Sequence, residues 1–146
     1  MNQNARCYSY HHIVGFQETN LLGNVYYTNQ LAWQGRCREL FLREHAPSIV
    51  DDLNQDLRLV TVSCSCEYFQ ELSAFDEVLV CMRLAELVQN RIRLAFEYWR
   101  GPDLVARGEQ EIACMRRERD KLAPTIVPPS LLDALVPYGE QPRLRT

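Results

Sequence analysis

One long helical pattern, preceded by a polar loop, constrains this chain more than any other feature. It lies in residues 16–45, FQETNLLGNVYYTNQLAWQGRCRELFLREH. From residue 30 the apolar side chains recur at the spacing of a single buried helix face: Trp33, Cys37, Leu40 and Phe41. We expect Thr28 or Asn29 to supply the N-cap oxygen. Pro47 should end the helix just after His45, because the residue before a proline resists helical geometry.

The charged residues of this helix do not all lie on one side. Three of them share an arc that is expected to face water: Arg36, Glu39 and Arg43. Arg38 lies away from that arc, between Leu31 and Leu42. A guanidinium among leucines is costly unless it has a partner. Two interpretations remain open: a surface arginine that extends past apolar neighbours, or an arginine that points into a site shared with the preceding loop.

The remaining chain is dominated by period-two alternation, which predicts strands. Five stretches show it: 6–16, 57–69, 76–88, 91–99 and 104–116. The last four follow one another through short links, so they must be antiparallel. One long helix with five strands predicts an α+β arrangement in which the sheet wraps the helix. Because a single helix cannot cover both faces of such a sheet, we expect the chain to dimerise edge to edge.

Details of these elements bear on the site. In the first strand, His12 is predicted to be a hydrogen-bonded histidine on the apolar face. Strict alternation in the second strand gives it two faces. One face is either solvated, part of a pocket or a subunit contact, and it carries Thr61, Ser63, Ser65 and Glu67. The opposite face carries Val60, Val62, Cys64, Cys66 and Tyr68.

Short helices are expected at two further places. A helical turn is predicted at 48–54 with Ser48 as its cap, and a short helix at 131–136 with Ser130 as its cap. The second lies in a proline-rich tail, 124–146, whose last residues look frayed. With 146 residues the chain is predicted to be one domain, 1–146.

Composition narrows the class of protein. The net charge of −3 argues against a nucleic-acid partner, and no apolar run is long enough to span a membrane. The N-terminus lacks the apolar stretch of a signal peptide, so a cytoplasmic protein is predicted. In that compartment the six cysteines should be free thiols, mostly buried, with Cys64 and Cys66 as core residues and Cys37 packed against the core. No metal site is predicted, because the cysteines form no CxxC pair and the three histidines lack zinc-ligand spacing with them.

The order of elements and the loop motif resemble the hot-dog fold, in the branch that includes 4-hydroxybenzoyl-CoA thioesterase. The loop of that branch typically reads F-x-D-T-D-x-x-G-H-V-x-x-x-x-Y-L, and residues 16–25 here fill the same frame. Two residues of the motif that have a functional role in the branch differ here. The second acid, the catalytic carboxylate of the branch, is Asn20, and the histidine after the glycine is Asn24. The resemblance implies a central helix wrapped by a five-stranded antiparallel sheet, with a short C-terminal helix added here.

With these two differences, the chain is similar to the thioesterases that are encoded with enediyne polyketide synthases. The similarity lies in residues 18–27 (ETNLLGNVYY) and 33–39 (WQGRCRE). It implies an enzyme that hydrolyses a β-ketoacyl polyene thioester on the acyl carrier protein domain of an iterative synthase, after which decarboxylation can give a methyl ketone. It also implies homotetramers, and no cofactor beyond the phosphopantetheine arm that carries the substrate.

The resemblance implies roles for particular residues. An amide is not basic near neutral pH, so Asn20 would position water or donate a hydrogen bond to a carbonyl; the alternative is a turn asparagine that satisfies local backbone. Arg38 would stabilise an oxyanion or enolate. The backbone N–H of Tyr27, at the start of the helix, is the candidate oxyanion donor. The direction of the Glu18 carboxylate stays open. The weaker candidates for substrate binding are Gly23, Asn24, Tyr26, Thr61 and Ser63.

The loss of the acid predicts attack by water without a covalent acyl-enzyme. Two other functions stay open. A general acyl-CoA thioesterase would cleave plain acyl thioesters as readily, although the chain shows no basic cluster for the phosphates of CoA. A non-catalytic acyl-binding module would bind a polyene without turnover.

Overall fold

A six-stranded antiparallel sheet curls around one long helix in the computed structural model, which describes residues 6–139. The elements in chain order are β1 Tyr8–Ile13, α1 Thr28–His45, α2 Pro47–Leu53, β2 Leu57–Tyr68, β3 Glu77–Val88, β4 Arg91–Arg100, β5 Asp103–Glu118, β6 Lys121–Pro124 and α3 Pro129–Leu135. The strand order is β1-β3-β4-β5-β2, and β6 pairs with β5. Within the described range no helix is long and apolar enough to cross a membrane.

The predicted α+β hot-dog architecture is confirmed, with five strands and a central helix where the sequence placed them. The short strand β6 was not predicted. It forms because β5 continues past Ala113, where its pairing with β4 ends, and the free end of β5 pairs with residues 121–124. The frayed end predicted beyond residue 139 lies outside the described residues.

The predicted side-chain caps are wrong. The N-cap position of α1 is Tyr27, which makes no side-chain cap hydrogen bond. The other two helices begin at Pro47 and Pro129, so Ser48 and Ser130 lie inside them rather than at their caps. Proline suits the first helical position because its φ is already helical and it has no N–H to leave unpaired.

The core lies between α1 and the inward face of the sheet. The predicted apolar face of α1 is buried at Trp33, Cys37 and Phe41, and the polar arc is exposed. Strand β4 alternates as expected, with Phe96 and Tyr98 fully buried. Complete burial of a large apolar side chain stabilises the fold by roughly 1.5–3 kcal/mol. The apolar spacing read from the sequence therefore defines which face of α1 packs on the sheet.

A β-bulge corrects the predicted faces of β2. Thr61 pairs with Ile112 and Ser63 pairs with Glu111, so Val62 is the extra residue. Directly paired residues share a face, and Ile112 is buried. Thr61 therefore lies on the helix side and Ser63 on the outer side, and they do not share the face that strict alternation predicts.

The cysteines also depart from expectation. Cys7 and Cys81 form a disulfide although 74 residues separate them, because the antiparallel pairing of Ser9 with Cys81 brings β1 alongside β3. The prediction of six free thiols is wrong for these two. Cys64 is exposed and is not the core residue that was predicted, because β2 is an edge strand; Cys66 is half-buried and packs against the core.

Candidate active site

The loop before α1 is held in a tight turn around Asn20. The Asn20 side-chain Oδ1 accepts hydrogen bonds from the backbone N–H of Leu22 (2.9 Å) and of Asn24 (3.3 Å). The Gly23 N–H donates to the Asn20 carbonyl, and Gly23 has a φ of +82°, which favours glycine. Because Oδ1 is committed to the loop backbone, the Nδ2 group is the end of the Asn20 amide that is left to meet a substrate.

Glu18 clamps this loop to β1 and α1. Its Oε1 accepts from the Gly15 N–H and from His12 Nε2, both at 2.8 Å, and its Oε2 accepts from Trp33 Nε1 at 2.6 Å. His12 Nδ1 in turn bonds Tyr10 OH at 2.7 Å, so His12 is hydrogen-bonded as predicted. Burial works to raise the pKa of Glu18, but these hydrogen bonds prevail and lower it. Both carboxylate oxygens are occupied, which leaves Glu18 poorly suited to be a general base.

An open cleft of about 580 Å³ lies beside the loop. Its lining combines loop residues, the first turn of α1 and the segment after β2: Asn20, Leu22, Asn24, Val25, Tyr26, Tyr27, Gln30, Tyr68, Phe69, Gln70, Glu71 and Leu72. Four predicted site residues therefore meet here, namely Asn20, Asn24, Tyr26 and Tyr27. Gly23 shapes the turn but is not among the lining residues.

The backbone of Tyr27 sits at the N-terminal end of α1. Its carbonyl accepts a hydrogen bond from Tyr68 OH, which ties the end of β2 to the helix start. Within residues 6–139 no partner is found for the Tyr27 N–H. An unpaired N–H at a helix N-terminus attracts a negative oxygen, because the helix dipole adds to the hydrogen bond.

Arg38 lies elsewhere, largely buried between α1 and the sheet. Its Nη1 donates to Gln110 Oε1 at 2.8 Å and to Thr61 Oγ1 at 3.3 Å. Burial lowers the pKa of Arg38, and the neighbouring Glu39 acts in the opposite direction. Both hydrogen-bond partners are neutral, and no carboxylate in the described part of the chain forms an ion pair with this guanidinium. The guanidinium contacts β2 and β5, so within one chain Arg38 does not point into a site shared with the preceding loop.

One chain does not bring all the predicted residues together. Eleven residues of helix separate Tyr27 from Arg38, which is roughly 16 Å along the axis, and Arg38 is not among the residues that line the cleft. Arg38 and Thr61 meet each other, as a site would require. Ser63 lines a separate small depression of about 150 Å³ together with Ser65 and Glu111.

Three buried glutamines were missed by sequence reasoning: Gln30, Gln34 and Gln110, the buried polar side chains of residues 6–139. Gln30, Gln34 and Arg38 lie at positions i, i+4 and i+8 and therefore on one side of α1. This stripe of the helix is polar although it is largely buried. That spacing was visible in the sequence. A second signal was also visible, because the loop motif quoted above has tyrosine where this chain has Gln30.

Gln34 shows how closely this stripe approaches the sheet. The Gln34 amide Nε2 donates to the Ser65 carbonyl at 2.9 Å. A Cβ at Gly108 would lie 2.4 Å from both of those groups. Glycine at that position of β5 therefore lets the helix amide reach the backbone of β2.

Two further observations concern the thiol and the possible metal ligands of the described residues. The thiol of Cys37 is buried, and burial raises its pKa to about 12, so it is not a nucleophile near neutral pH. No group of three or more His, Cys, Asp or Glu side chains within residues 6–139 comes close enough to hold a metal ion.

Comparison with known proteins agrees with this fold and loop. The model of the thioesterase-like superfamily matches residues 14–135, and the chain belongs to that family. Among solved structures, the dynemicin thioesterase is 48% identical, covers 92% of this chain and 98% of its own, and has a TM-score of 0.89. Its crystal structures concern induced-fit and allosteric effects of polyene binding. The predicted resemblance to enediyne thioesterases is thereby confirmed, as is the assignment of the chain as a thioesterase that acts on thioester bonds.

More distant structures share the fold. A 1,4-dihydroxy-2-naphthoyl-CoA thioesterase from Synechocystis is 22% identical, covers 89% of this chain and 96% of its own, and has a TM-score of 0.79. A 4-hydroxybenzoyl-CoA thioesterase variant complexed with 4-hydroxybenzoyl-CoA is 17% identical, covers 90% and 99%, and has a TM-score of 0.76. The search of curated proteins finds no match.

Proposed function

We propose that this thioesterase hydrolyses a β-ketoacyl polyene thioester carried on the phosphopantetheine arm of an acyl carrier protein of an iterative enediyne polyketide synthase. The observation that carries the proposal is the 48% identity to the dynemicin thioesterase, a polyene-binding enzyme, over nearly the whole chain. The free β-keto acid can then lose carbon dioxide and become a methyl ketone.

The proposed reaction is direct attack by water. The water oxygen bonds to the thioester carbonyl carbon, the C–S bond breaks, and the thiol leaves with a proton. The oxyanion that develops is stabilised by the Tyr27 N–H and the N-terminus of α1, and Asn20 Nδ2 donates a further hydrogen bond. Arg38 carries a positive charge that suits the second oxygen of a β-ketoacyl group, as a carbonyl or as an enolate.

A covalent acyl-enzyme is not part of this proposal, because the loop offers no free carboxylate. Asn20 is an amide, and both oxygens of Glu18 are occupied by three donors. The buried Cys37 thiol has a raised pKa. Positioning and oxyanion stabilisation then supply the rate acceleration, so we expect a slow enzyme.

The proposed site is shared between copies of the chain. Strand β2 is an edge of the sheet, and it exposes Val60 and Val62 as well as Cys64. A long exposed edge of this kind pairs readily with another strand. Pairing two β2 edges would place Arg38, which contacts Thr61 of β2, near the loop of a second copy. A homotetramer would be a dimer of such dimers.

The test compares a β-ketoacyl thioester with a plain acyl thioester of equal length, for the wild type and Arg38→Ala. We expect hydrolysis of the β-ketoacyl substrate only, lost in Arg38→Ala while the circular dichroism spectrum is retained. Equal cleavage of both substrates would make the protein a general thioesterase and refute the role of Arg38. Absence of turnover, with the substrate presented on carrier protein as well, would contradict the catalytic proposal and favour an acyl-binding module.

A further inference from the structure

Gln30 lies in the first turns of α1, where its side chain lines the cleft beside the Asn20 loop. It is only 3% exposed. The lining also includes the end of β2 and the segment that follows it, with Tyr68 and Phe69. A buried polar residue thus belongs to the lining of a cleft that also contains four aromatic residues: Tyr26, Tyr27, Tyr68 and Phe69.

The amide of Gln30 is not used by the protein. Its Oε1 is fully enclosed and has no hydrogen-bond partner in residues 6–139. The Tyr98 hydroxyl, which reaches this residue, bonds to the Gln30 backbone carbonyl instead. Burial of an unsatisfied amide is unfavourable, so such a group points to a ligand that satisfies it.

Two nearby glutamines differ from Gln30, one in its hydrogen bonds and the other in its hydrogen bonds and its place. The Gln70 side chain also lines the cleft, but its Oε1 accepts a hydrogen bond from Arg100 Nη2 at 2.8 Å. Gln34, one turn further along α1, is anchored through Nε2 to the Ser65 carbonyl and does not line the cleft, although its Oε1 also has no hydrogen-bond partner in residues 6–139. Gln30 alone of these three combines a place in the cleft wall with an amide that makes no hydrogen bond to the described residues.

We infer that Gln30 binds a secondary amide of the substrate's pantetheine arm. An amide offers one donor and one acceptor, and its best complement is another amide, which supplies the opposite pair. The arm that carries the substrate in the proposed function contains two secondary amides and no charge between them and the sulfur. The aromatic and aliphatic residues of the lining suit its methylene groups. The inference rests on the proposed function and adds the residue that recognises the carrier arm rather than the acyl chain.

The experiment is a cycle of two substrates and two proteins. One substrate is a β-ketoacyl N-acetylcysteamine thioester, which retains the first amide of the arm. The other is the S-pentyl thioester of the same acid, which has the same chain length and no amide. Each is hydrolysed by the wild type and by Gln30→Met, a variant of similar volume that cannot form hydrogen bonds of this kind. Gln55→Leu, an exposed glutamine outside the cleft, is the matched control.

We expect the wild type to prefer the amide substrate by about tenfold in kcat/KM, as one hydrogen bond would provide. Gln30→Met should lose this preference, with its kcat/KM on the S-pentyl substrate close to that of the wild type, and Gln55→Leu should retain it. An unchanged preference in Gln30→Met overturns the inference and leaves the proposed function intact. Equal loss on both substrates, in a folded protein, also overturns it, because Gln30 would then act on the acyl group or on the water.

If Gln30→Met does not fold, Gln30→Glu takes its place in the cycle. Glutamate keeps the size and an acceptor oxygen but loses the donor, so the preference should fall but not vanish. A preference equal to that of the wild type would overturn the inference. Absence of hydrolysis of the amide substrate by the wild type is a failure of the proposed function and is separate from these outcomes.

Discussion

The hydrogen-bond partners of the half-buried Arg38 do not neutralise its guanidinium, because Gln110 and Thr61 are both uncharged. A carboxylate in either place would form an ion pair and cancel the charge that a substrate oxygen needs. Gln110 is itself buried, at 5% exposure, in the middle of β5. In the proposed function, the neutrality of this acceptor leaves the guanidinium free to bind a substrate oxygen.

Gln110→Glu tests this reasoning with almost no change in shape. The new carboxylate would lie 2.8 Å from Arg38 Nη1, where the present oxygen lies, and would pair with the guanidinium. We expect kcat for the β-ketoacyl thioester to fall about tenfold or more, with a smaller change in KM. Gln110→Met is the control, because it removes the hydrogen bond and leaves the charge. Wild-type kcat in Gln110→Glu would contradict the proposed role of the charge.

At the scale of elements, the Asn20 loop owes its position to a carboxylate that takes no part in the proposed chemistry. Glu18 joins three elements, because its donors come from β1 (His12), from the residue before the loop (Gly15) and from α1 (Trp33). The Glu18 carbonyl adds two more bonds, from the Tyr26 N–H and from Asn29 Nδ2. The turn that presents Asn20 is therefore fixed at both of its ends.

Acid should weaken this clamp. The pKa of Glu18 is lowered in the folded protein, so its stabilising contribution is complete above its ordinary pKa of about 4.3 and is lost as the pH falls through the lowered value. Glu18→Gln places an NH₂ group against N–H donors and should lower Tm at pH 7. The Tm difference from the wild type should shrink below about pH 4. The exposed Glu39→Gln is the control, and a Tm difference for Glu18→Gln that is independent of pH would refute this account.

At the scale of the whole molecule, the two halves of the proposed site lie apart in one chain. The cleft holds Asn20 and Tyr27, whereas Arg38 sits roughly 16 Å further along α1. The exposed β2 edge, which carries the Thr61 contact, is where a second copy would restore proximity.

Mixing two inactive variants tests whether the site is shared. Asn20→Ala and Arg38→Ala chains, unfolded and refolded together, should form dimers of which half are mixed. A mixed dimer then holds one intact site of two, so we expect about a quarter of wild-type activity. Each variant refolded alone is the control. Activity no higher than in those controls, with mixed dimers demonstrated by differently tagged chains, would show that each chain supplies its own Asn20 and Arg38.

Much of the architecture can be read from the sequence because periodicity is a local property of the backbone. The apolar spacing of Trp33, Cys37 and Phe41, and the alternation of β4, each assign a face without reference to the rest of the chain. The loop letters around Asn20 and the W-Q-G-R-C-R-E run sufficed to indicate the family, which the dynemicin thioesterase comparison confirmed.

The features that the sequence did not reveal all depend on partners distant along the chain. The bulge at Val62 reverses the predicted relation of Thr61 and Ser63, because the register against β5 sets it. Cys7 meets Cys81 only through the pairing of β1 with β3. The direction of Glu18 likewise depends on three donors that the loop path brings together. Local patterns specify which face a side chain takes, and only the packed chain specifies what that face meets.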